Sequence, residues 1–549
     1  MPAERHTSTL PEPLHLDFQR FPGVRRLAAE YTDNFSELKR FFNGDPNDET
    51  AWRAAIAARE RPPNTKTPIT KILLQQQFSR GAPSAATEAA KRLDNPRSVA
   101  VVTGQQAGLF GGPLYTLLKA ISSIRLARRV EKIHGVPAVA VFWVDAEDHD
   151  LDEIRSCGIL DTDLRFRRVS LSIPAGTGTS AAVIQLEDSV NEIIDELAAE
   201  LPQTNFTADL LADLRCAYVP GRGLVESFAI WLERILGDLG LVVFDASDPA
   251  AKPLATKLFE REITSAGTAT SLARAAGKEL TEAGFHAQVE PHPDTLALLL
   301  LDGTRRGIRK DGDQLRVGGE PLEQRALLDR LRKDAACLGP NVLLRPIVQD
   351  HLFPTVCYVA GPNELAYLAQ LKGLYEHFEV PMPLIAPRFS GTLVDAAVLK
   401  FLRRHDVTLE ALQPQDESEL NRLLWAQVPA TLGEALKATK DTVQERMRSL
   451  AAIVTNLDPT LTGAARTTLS RMERDLEHFR SKVVQAAKRR DQTLRRQFAR
   501  AQAQTFPKGV PQERSVGMVY FLNNYGPTLI DRLLMDPELD TNHHWVIVV

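Results

Sequence analysis

Four cysteines in 549 residues, Cys157, Cys216, Cys337 and Cys357, are too few and too widely spaced for a disulfide framework, and no CxxC pair offers a zinc site. A chain this long buries enough apolar surface to be stable without such staples, and a reducing compartment suits it. Neither sign of charge dominates. Lysine and arginine number 66 against 70 acids, a formal net charge of −4, which argues against a dedicated nucleic-acid binder. The longest apolar run, Val136 to Val144, falls far short of the ~20 residues of a membrane span. Met1-Pro2-Ala3-Glu4-Arg5-His6 lacks the basic-then-apolar pattern of a signal peptide. The expectation is a soluble, cytoplasmic protein with no nucleic-acid or membrane partner. With 44% hydrophobic and 25% charged residues the composition is ordinarily globular, which excludes a wholly disordered or fibrous chain.

The pattern along the chain divides it. Residues 1–95 read as a helical, polar segment that packs on the core, broken at Pro62-Pro63-Asn64 and Gly81-Ala82-Pro83. Ser98 to Val102 is then a short apolar run, Leu114 to Ile133 a helix, and Ala138 to Val144 a second apolar run. Strand, helix and strand, each strand apolar throughout, form a βαβ unit of a parallel sheet covered on both faces. Leu241 to Phe244, Val356 to Val359 and Leu384 to Ala386 read as further strands, so the fold class is doubly wound α/β over 96–394. Insertions near 157–239 and 290–335 interrupt it, the first with antiparallel strands from Asp161 to Ile173, the second with hairpins from Leu296 to Val317 turning at Asp311-Gly312.

Over 395–506 the chain reads as a long antiparallel helical hairpin. Leu432, Leu436, Val443, Met447, Leu450, Val454 and Leu457 form one heptad seam, and Asp458-Pro459 breaks the helix. Leu469, Met472, Leu476, Phe479 and Val483 form the second seam, which resumes after a stutter at Ala487, Leu494, Phe498 and Ala501. The second helix is basic, with eleven Lys or Arg against four acids between Ala464 and Gln504, as solvated coiled-coil faces commonly are. Residues 507–549 return to globular composition and end on Trp545 to Val549, a strand or packed tail.

Three segments carry candidate chemistry. Thr103-Gly104-Gln105-Gln106-Ala107-Gly108-Leu109-Phe110-Gly111-Gly112-Pro113 leaves the first strand and opens a helix, where ligands bind in this architecture. Glycines admit close backbone approach and free helix N–H groups attract anions, although the segment is neither G-x-G-x-x-G nor a Walker A loop. Asp145-Ala146-Glu147-Asp148-His149-Asp150 ends the second strand; it reads as a general base with its orienting acids, a divalent-metal site, or a solvated acidic loop. Gly361-Pro362-Asn363-Glu364 opens a helix on which Asn363, Tyr367 and Gln370, four and three apart, share a face, or form only a surface stripe. Arg345 and Arg388, each beside a proline near a strand end, are candidates for carboxylate or phosphate recognition, or for salt bridges.

Together, Thr103 to Leu109 with Gly112-Pro113-Leu114-Tyr115, Phe142-Trp143-Val144, Glu147 to Asp150, Arg345-Pro346, Phe353-Pro354, Gly361-Pro362 with Glu364, Tyr367 and Gln370, Pro387-Arg388 with Ser390 and Thr392, and Tyr520 to Asn523 with Tyr525-Gly526-Pro527 resemble the cysteine ligases of bacillithiol biosynthesis. The resemblance runs from about residue 95 to the end. It implies a Rossmann-like core with two connecting insertions and a coiled-coil hairpin, and a homodimer made through the coiled coil. It also implies a reaction joining L-cysteine to glucosaminyl malate through an amide, the last step of the pathway. Asp145 stands where the family pattern has a small residue and adds a carboxylate beside the site. His149, oriented by Asp148 or Asp150, would be the base. Thr103, Gly104, Gln105, Gln106, Tyr115, Glu147, Gly361, Glu364, Tyr367 and Gln370 would bind substrate or nucleotide, and Arg345 or Arg388 a carboxylate. Activating a carboxylate calls for ATP with Mg, an expectation from thermodynamics, since the HxGH and KMSKS signatures of adenylate-forming enzymes are missing. Open alternatives are a nucleotidyltransferase-like enzyme joining another amino acid and amine, and a non-catalytic coiled-coil scaffold on a Rossmann-like core.

Overall fold

A computed structural model describes residues 14–62, 67–147, 151–173, 180–302, 304–312, 314–535 and 540–549. Five apolar segments form one parallel sheet: β1 (Val99–Gln105), β2 (Ala138–Val144), β3 (Val242–Asp245), β4 (Thr355–Ala360) and β5 (Leu384–Pro387), in the order β5-β4-β1-β2-β3. Alternate side chains point to opposite faces, so Val99, Val101, Phe142 and Val144 enter one core while Ala100, Val102, Val141 and Trp143 enter the other. This double burial is why the strands read as continuous apolar runs. Helix α1 (Leu114–His134) crosses from β1 to β2 and stops at Gly135, which takes φ +64°, the left-handed cap glycine favours.

The chain builds from β1 outward to β3, then returns to place β4 on the other side of β1. The strand order therefore reverses between β1 and β4, and in this architecture the crevice beyond the carboxyl ends at that point is where ligands sit.

Between β2 and β3 stand an antiparallel pair, Ser156–Leu160 with Phe166–Ser170, and the helices Ser189–Glu200, Thr207–Ala217 and Leu224–Leu236. The pair begins before Asp161, which lies in the turn: its carboxylate accepts from the N–H groups of Asp163 and Arg165. Between β3 and β4 stands a second, antiparallel sheet built on Thr295–Leu301, Arg305–Asp311, Gln314–Val317, Glu320–Leu322 and Leu338–Pro340. A third, small sheet joins Leu14–Asp17 and Ser390–Val394 to His543–Val548. Its first strand corrects the all-helical reading of the amino-terminal segment; four residues are too short for a periodic signal, and pairing with His543–Val548 defines them.

Chain contacts separate a unit that runs to Leu393 and resumes at Pro511 from a second unit, Val394–Val510. In the second, Ala430–Leu457 and Leu461–Arg490 form the helical hairpin, tied by the hydroxyls of Thr455 and Thr462 (2.8 Å) and by Gln444 donating to Glu473 (2.6 Å). The stutter between Val483 and Ala487 lies within one continuous helix, and a helix end follows it, between Ala487 and Leu494. Asp491 closes one helix and caps the next, Gln492–Thr505, by accepting from the Leu494 N–H at 2.8 Å.

Glu262, fully buried, accepts from the Ala297 N–H at 2.6 Å, while among the described residues its other oxygen has no hydrogen-bond partner and no counter-charge pairs with it. Burial pushes its pKa up from 4.5 to about 7. Because the folded pKa is the higher one, the folded chain holds an extra proton between these values, and stability falls as pH rises through that window. Glu262→Gln should match the parent near pH 4.5 and exceed it at pH 8 by up to about 3 kcal/mol, read from thermal midpoints across the range. A gap that does not grow with pH would contradict the assignment.

Candidate active site

The carboxyl ends of β1 and β4 frame a crevice of about 250 Å³ whose wall includes Gln105, Lys119, Arg345, Glu364, Tyr367 and Arg514. Its floor is an ion pair between a buried lysine and a part-buried glutamate. The ammonium of Lys119 on α1 meets the carboxylate of Glu364, which follows β4. Lys119 also donates to the Gly104 carbonyl at 2.8 Å and to Gln105 Oε1 at 3.2 Å. Glu364 accepts from the Gly361 N–H at 2.6 Å and from the Tyr358 hydroxyl at 2.8 Å. Burial opposes a charge on Glu364, yet Lys119 and these donors hold its carboxyl below the usual range.

Side chains rising from this floor are held at both ends. Gln105 accepts from Lys119 and donates through Nε2 to the Tyr115 hydroxyl at 3.1 Å; Tyr115 in turn donates to Glu153 at 2.9 Å. Every bond runs the same way, so the amide orientation is fixed and the second Nε2 hydrogen is left as a donor. Arg345 donates to Gln349 and to the Tyr367 hydroxyl, both at 3.2 Å, with Asp145 at 3.6 Å. Such a set of rigid, convergent donors suits a polar, anionic small molecule.

Of the residues singled out from sequence, Gly104, Gln105, Gln106, Tyr115, Arg345, Gly361, Glu364, Tyr367 and Arg388 line this crevice. Glu147 lies in an adjoining cavity of about 370 Å³, which shares Trp143, Asp145, Val342 and Arg345 with the crevice, and it pairs there with Lys252. Asp148, His149 and Asp150 lie outside the described residues.

Several expectations are corrected. Thr103 is fully buried and its hydroxyl donates to the Val359 carbonyl at 2.9 Å, fastening β1 to β4 and taking no part in the crevice. Gln370 does not share the face of Tyr367, because that helix ends at Leu368; its amide accepts from the N–H groups of Gln288 and Val289 and donates to the Val289 carbonyl. Arg388 is held by Glu513 at 2.9 and 2.5 Å, so its charge is already answered. Glu513 continues inward to the Ser390 hydroxyl (3.0 Å), which meets His544 at 2.7 Å. Burial pushes His544 down to about 3, and it stays neutral between Ser390 and Thr392.

Four N–H groups in and after the glycine-rich turn are already taken up within the protein. The N–H groups of Gly108, Gly111, Gly112 and Leu114 bond to the carbonyls of Gln106, Gly108, Leu109 and Val516. A Cβ on Gly104 would lie 2.7 Å from the Trp143 carbonyl oxygen, and one on Gly111 2.6 Å from the Met518 sulfur. These glycines serve close packing of the turn against β2 and the carboxyl-terminal segment. Among the described residues, no three His, Cys, Asp or Glu converge as a metal set.

Sequence reasoning missed Lys119, Tyr358, Glu153 and Arg514. Lys119 had a signal: it is the one charge in Leu114–Ile124, an otherwise uncharged stretch of helix that packs against the sheet. The others carry no comparable mark, since a tyrosine in an apolar strand reads as core and a charge in a short polar helix reads as surface.

Replacing Arg388 by methionine leaves Glu513 buried with no countercharge. The unfolding midpoint in urea should drop by the equivalent of about 3–5 kcal/mol. A loss below about 1 kcal/mol would show that the pair does not hold this wall.

Two family models cover the chain: the N-terminal Rossmann-like domain of bacillithiol biosynthesis BshC matches residues 14–389, and its C-terminal coiled-coil domain matches residues 391–549. A protein of Salinibacter ruber named "Putative cysteine ligase BshC" is 34% identical over 532 residues, 95% of this chain and 96% of its own. Proteins of the same name from Symbiobacterium thermophilum and Koribacter versatilis are 33% and 31% identical, covering 96% and 93% of this chain and 98% and 95% of their own. With both models matched in order over nearly the whole length, and with the parallel sheet and helical hairpin they describe, this chain belongs to the bacillithiol biosynthesis BshC family.

Proposed function

We propose that this chain is a cysteine ligase that joins the carboxyl group of L-cysteine to the amine of glucosaminyl malate, the last step of bacillithiol biosynthesis. The names of its relatives support the ligase class. The observation that carries the reading is the crevice at the strand-order reversal, where Gln105, Arg345 and Tyr367 converge on a floor set by Lys119 and Glu364.

One C–N bond forms in this reaction. A C–O bond of the carboxyl group breaks, and its oxygen leaves with the activating group, for which ATP with Mg remains our proposal. Four N–H groups at the turn after β1 are already bonded within the protein, and no step is routed through it. Arg345, kept in place by Gln349 and Tyr367, holds an anionic group such as a malate carboxylate. The free Nε2 hydrogen of Gln105 donates to an acyl or hydroxyl oxygen. His149, with Asp148 or Asp150 behind it, takes the proton from the attacking amine. The coiled-coil hairpin makes the homodimer.

The test is incubation with L-cysteine and glucosaminyl malate, with and without ATP and Mg, with the amide followed by mass spectrometry. Product that requires ATP is the expected result; none under any condition would refute the reading and favour a different amino acid and amine or a scaffold. His149→Ala should lower turnover by ~10² or more, and unchanged turnover would remove His149 as base.

A further inference from the structure

Arg345 stands at the near end of a buried chain of polar groups. It and Gln349 are four apart on the helix Arg345–Leu352 and share a face, and its guanidinium donates to Gln349 Oε1 at 3.2 Å. The other end of the same amide, Nε2, donates to Asp350 Oδ1 at 3.0 Å. The second Asp350 oxygen accepts from the Tyr375 hydroxyl at 2.5 Å. Gln349, Asp350 and Tyr375 are each at most 2% exposed, and of these four residues only Arg345 lines the crevice. At the far end Arg59, buried in the amino-terminal segment, donates to the Asp350 carbonyl at 3.0 Å. Burial pushes the Asp350 pKa up, and the Arg59 guanidinium and the two donors act against that rise.

An amide has a donor end and an acceptor end, whereas a guanidinium only donates and a carboxylate only accepts. Arg345 and Asp350 therefore select the same orientation of Gln349, with Oε1 toward the crevice. Reversed, the amide would set donor against donor at Arg345 and acceptor against acceptor at Asp350, at the cost of two buried hydrogen bonds. We propose that Asp350, which does not line the crevice, is a positioning residue for the anion-binding site: by anchoring the Gln349 amide it holds the Arg345 guanidinium where a substrate's anionic group meets it. The assignment rests on the reading of Arg345 as the holder of that group. It also explains why an amide stands between the two charges. Gln349 fixes Arg345 without neutralising it, whereas a carboxylate in direct contact would answer the charge, as Glu513 does for Arg388.

The test is a double-mutant cycle on the full-length protein, titrated calorimetrically with glucosaminyl malate. Asp350→Leu, close in shape but unable to accept, should weaken binding by ~10-fold, and the same change in an Arg345→Met background should weaken it no further. Should Asp350→Leu fail to fold, as its thermal midpoint would show, Gln349→Met replaces it with the same expectation. Affinity equal to the parent's, or a loss that persists undiminished in the Arg345→Met background, would overturn the proposal. In the amide assay the single variant should raise the KM for glucosaminyl malate and leave that for L-cysteine unchanged; a parallel rise in both would mark general disruption and count against it. If the parent does not bind glucosaminyl malate, the substrate reading fails, and the crystal structure of the variant decides the positioning role. An Arg345 guanidinium displaced from the Tyr367 hydroxyl upholds that role, and one left in place overturns it.

Discussion

The contact between Lys119 and Glu364 is the constraint on which the crevice depends. Strands β1 and β4 are neighbours in the sheet but distant in the chain, and beyond their carboxyl ends the backbone hydrogen bonds that align them run out. The ion pair bridges that gap. From one side Lys119 grips the Gly104 carbonyl and the Gln105 amide, and from the other Glu364 grips the Gly361 N–H and the Tyr358 hydroxyl. A pair buried on one side contributes little net stability once desolvation is subtracted, so its value lies in position. It sets where Gln105 stands, and through Gln105 where Tyr115 and Glu153 stand.

Charge in the site is layered outward from this pair. Arg388 and Glu513 form a buried pair that ties the crevice wall to Ser390 and His544, and so to the small sheet in which Leu14–Asp17 and Ser390–Val394 flank His543–Val548. Arg345 is steadied by neutral partners, Gln349 and Tyr367, with its carboxylate neighbour farther off. Among the described residues, Arg514 has only the Tyr115 ring against it. Cations compensated by protein carboxylates hold the wall together, and those left over are available to a ligand. This ordering is why Arg345, and not Arg388, is assigned to a substrate.

Much of the fold was legible because parallel strands buried on both faces leave an unmistakable trace. Val99 to Val102 and Ala138 to Val144 admit few other readings, and the two long heptad seams are equally plain. The site was legible by position: residues at a strand end or just past it, such as Gln105 and Gly361, stand in the crevice. The failures share a cause. Thr103 and Gln370 carry the same polar groups as ligand-binding residues but spend them on the Val359 carbonyl and on Gln288 and Val289, partners that only the tertiary fold brings near. Gly104 and Gly111 resemble a phosphate loop but are glycines because β2 and Met518 pack against them. Lys119 was hidden for the opposite reason, a charge whose partner lies 245 residues along the chain.

Substrate binding beyond the carboxyl ends of β1 and β4 underlies every role assigned to the site residues. A crystal structure of the full chain soaked with glucosaminyl malate tests it at the level of atoms. Ligand density is expected in the crevice, with an anionic group at Arg345 and contacts to Gln105 and Tyr367. Density elsewhere on the molecule, with that crevice empty, would contradict it.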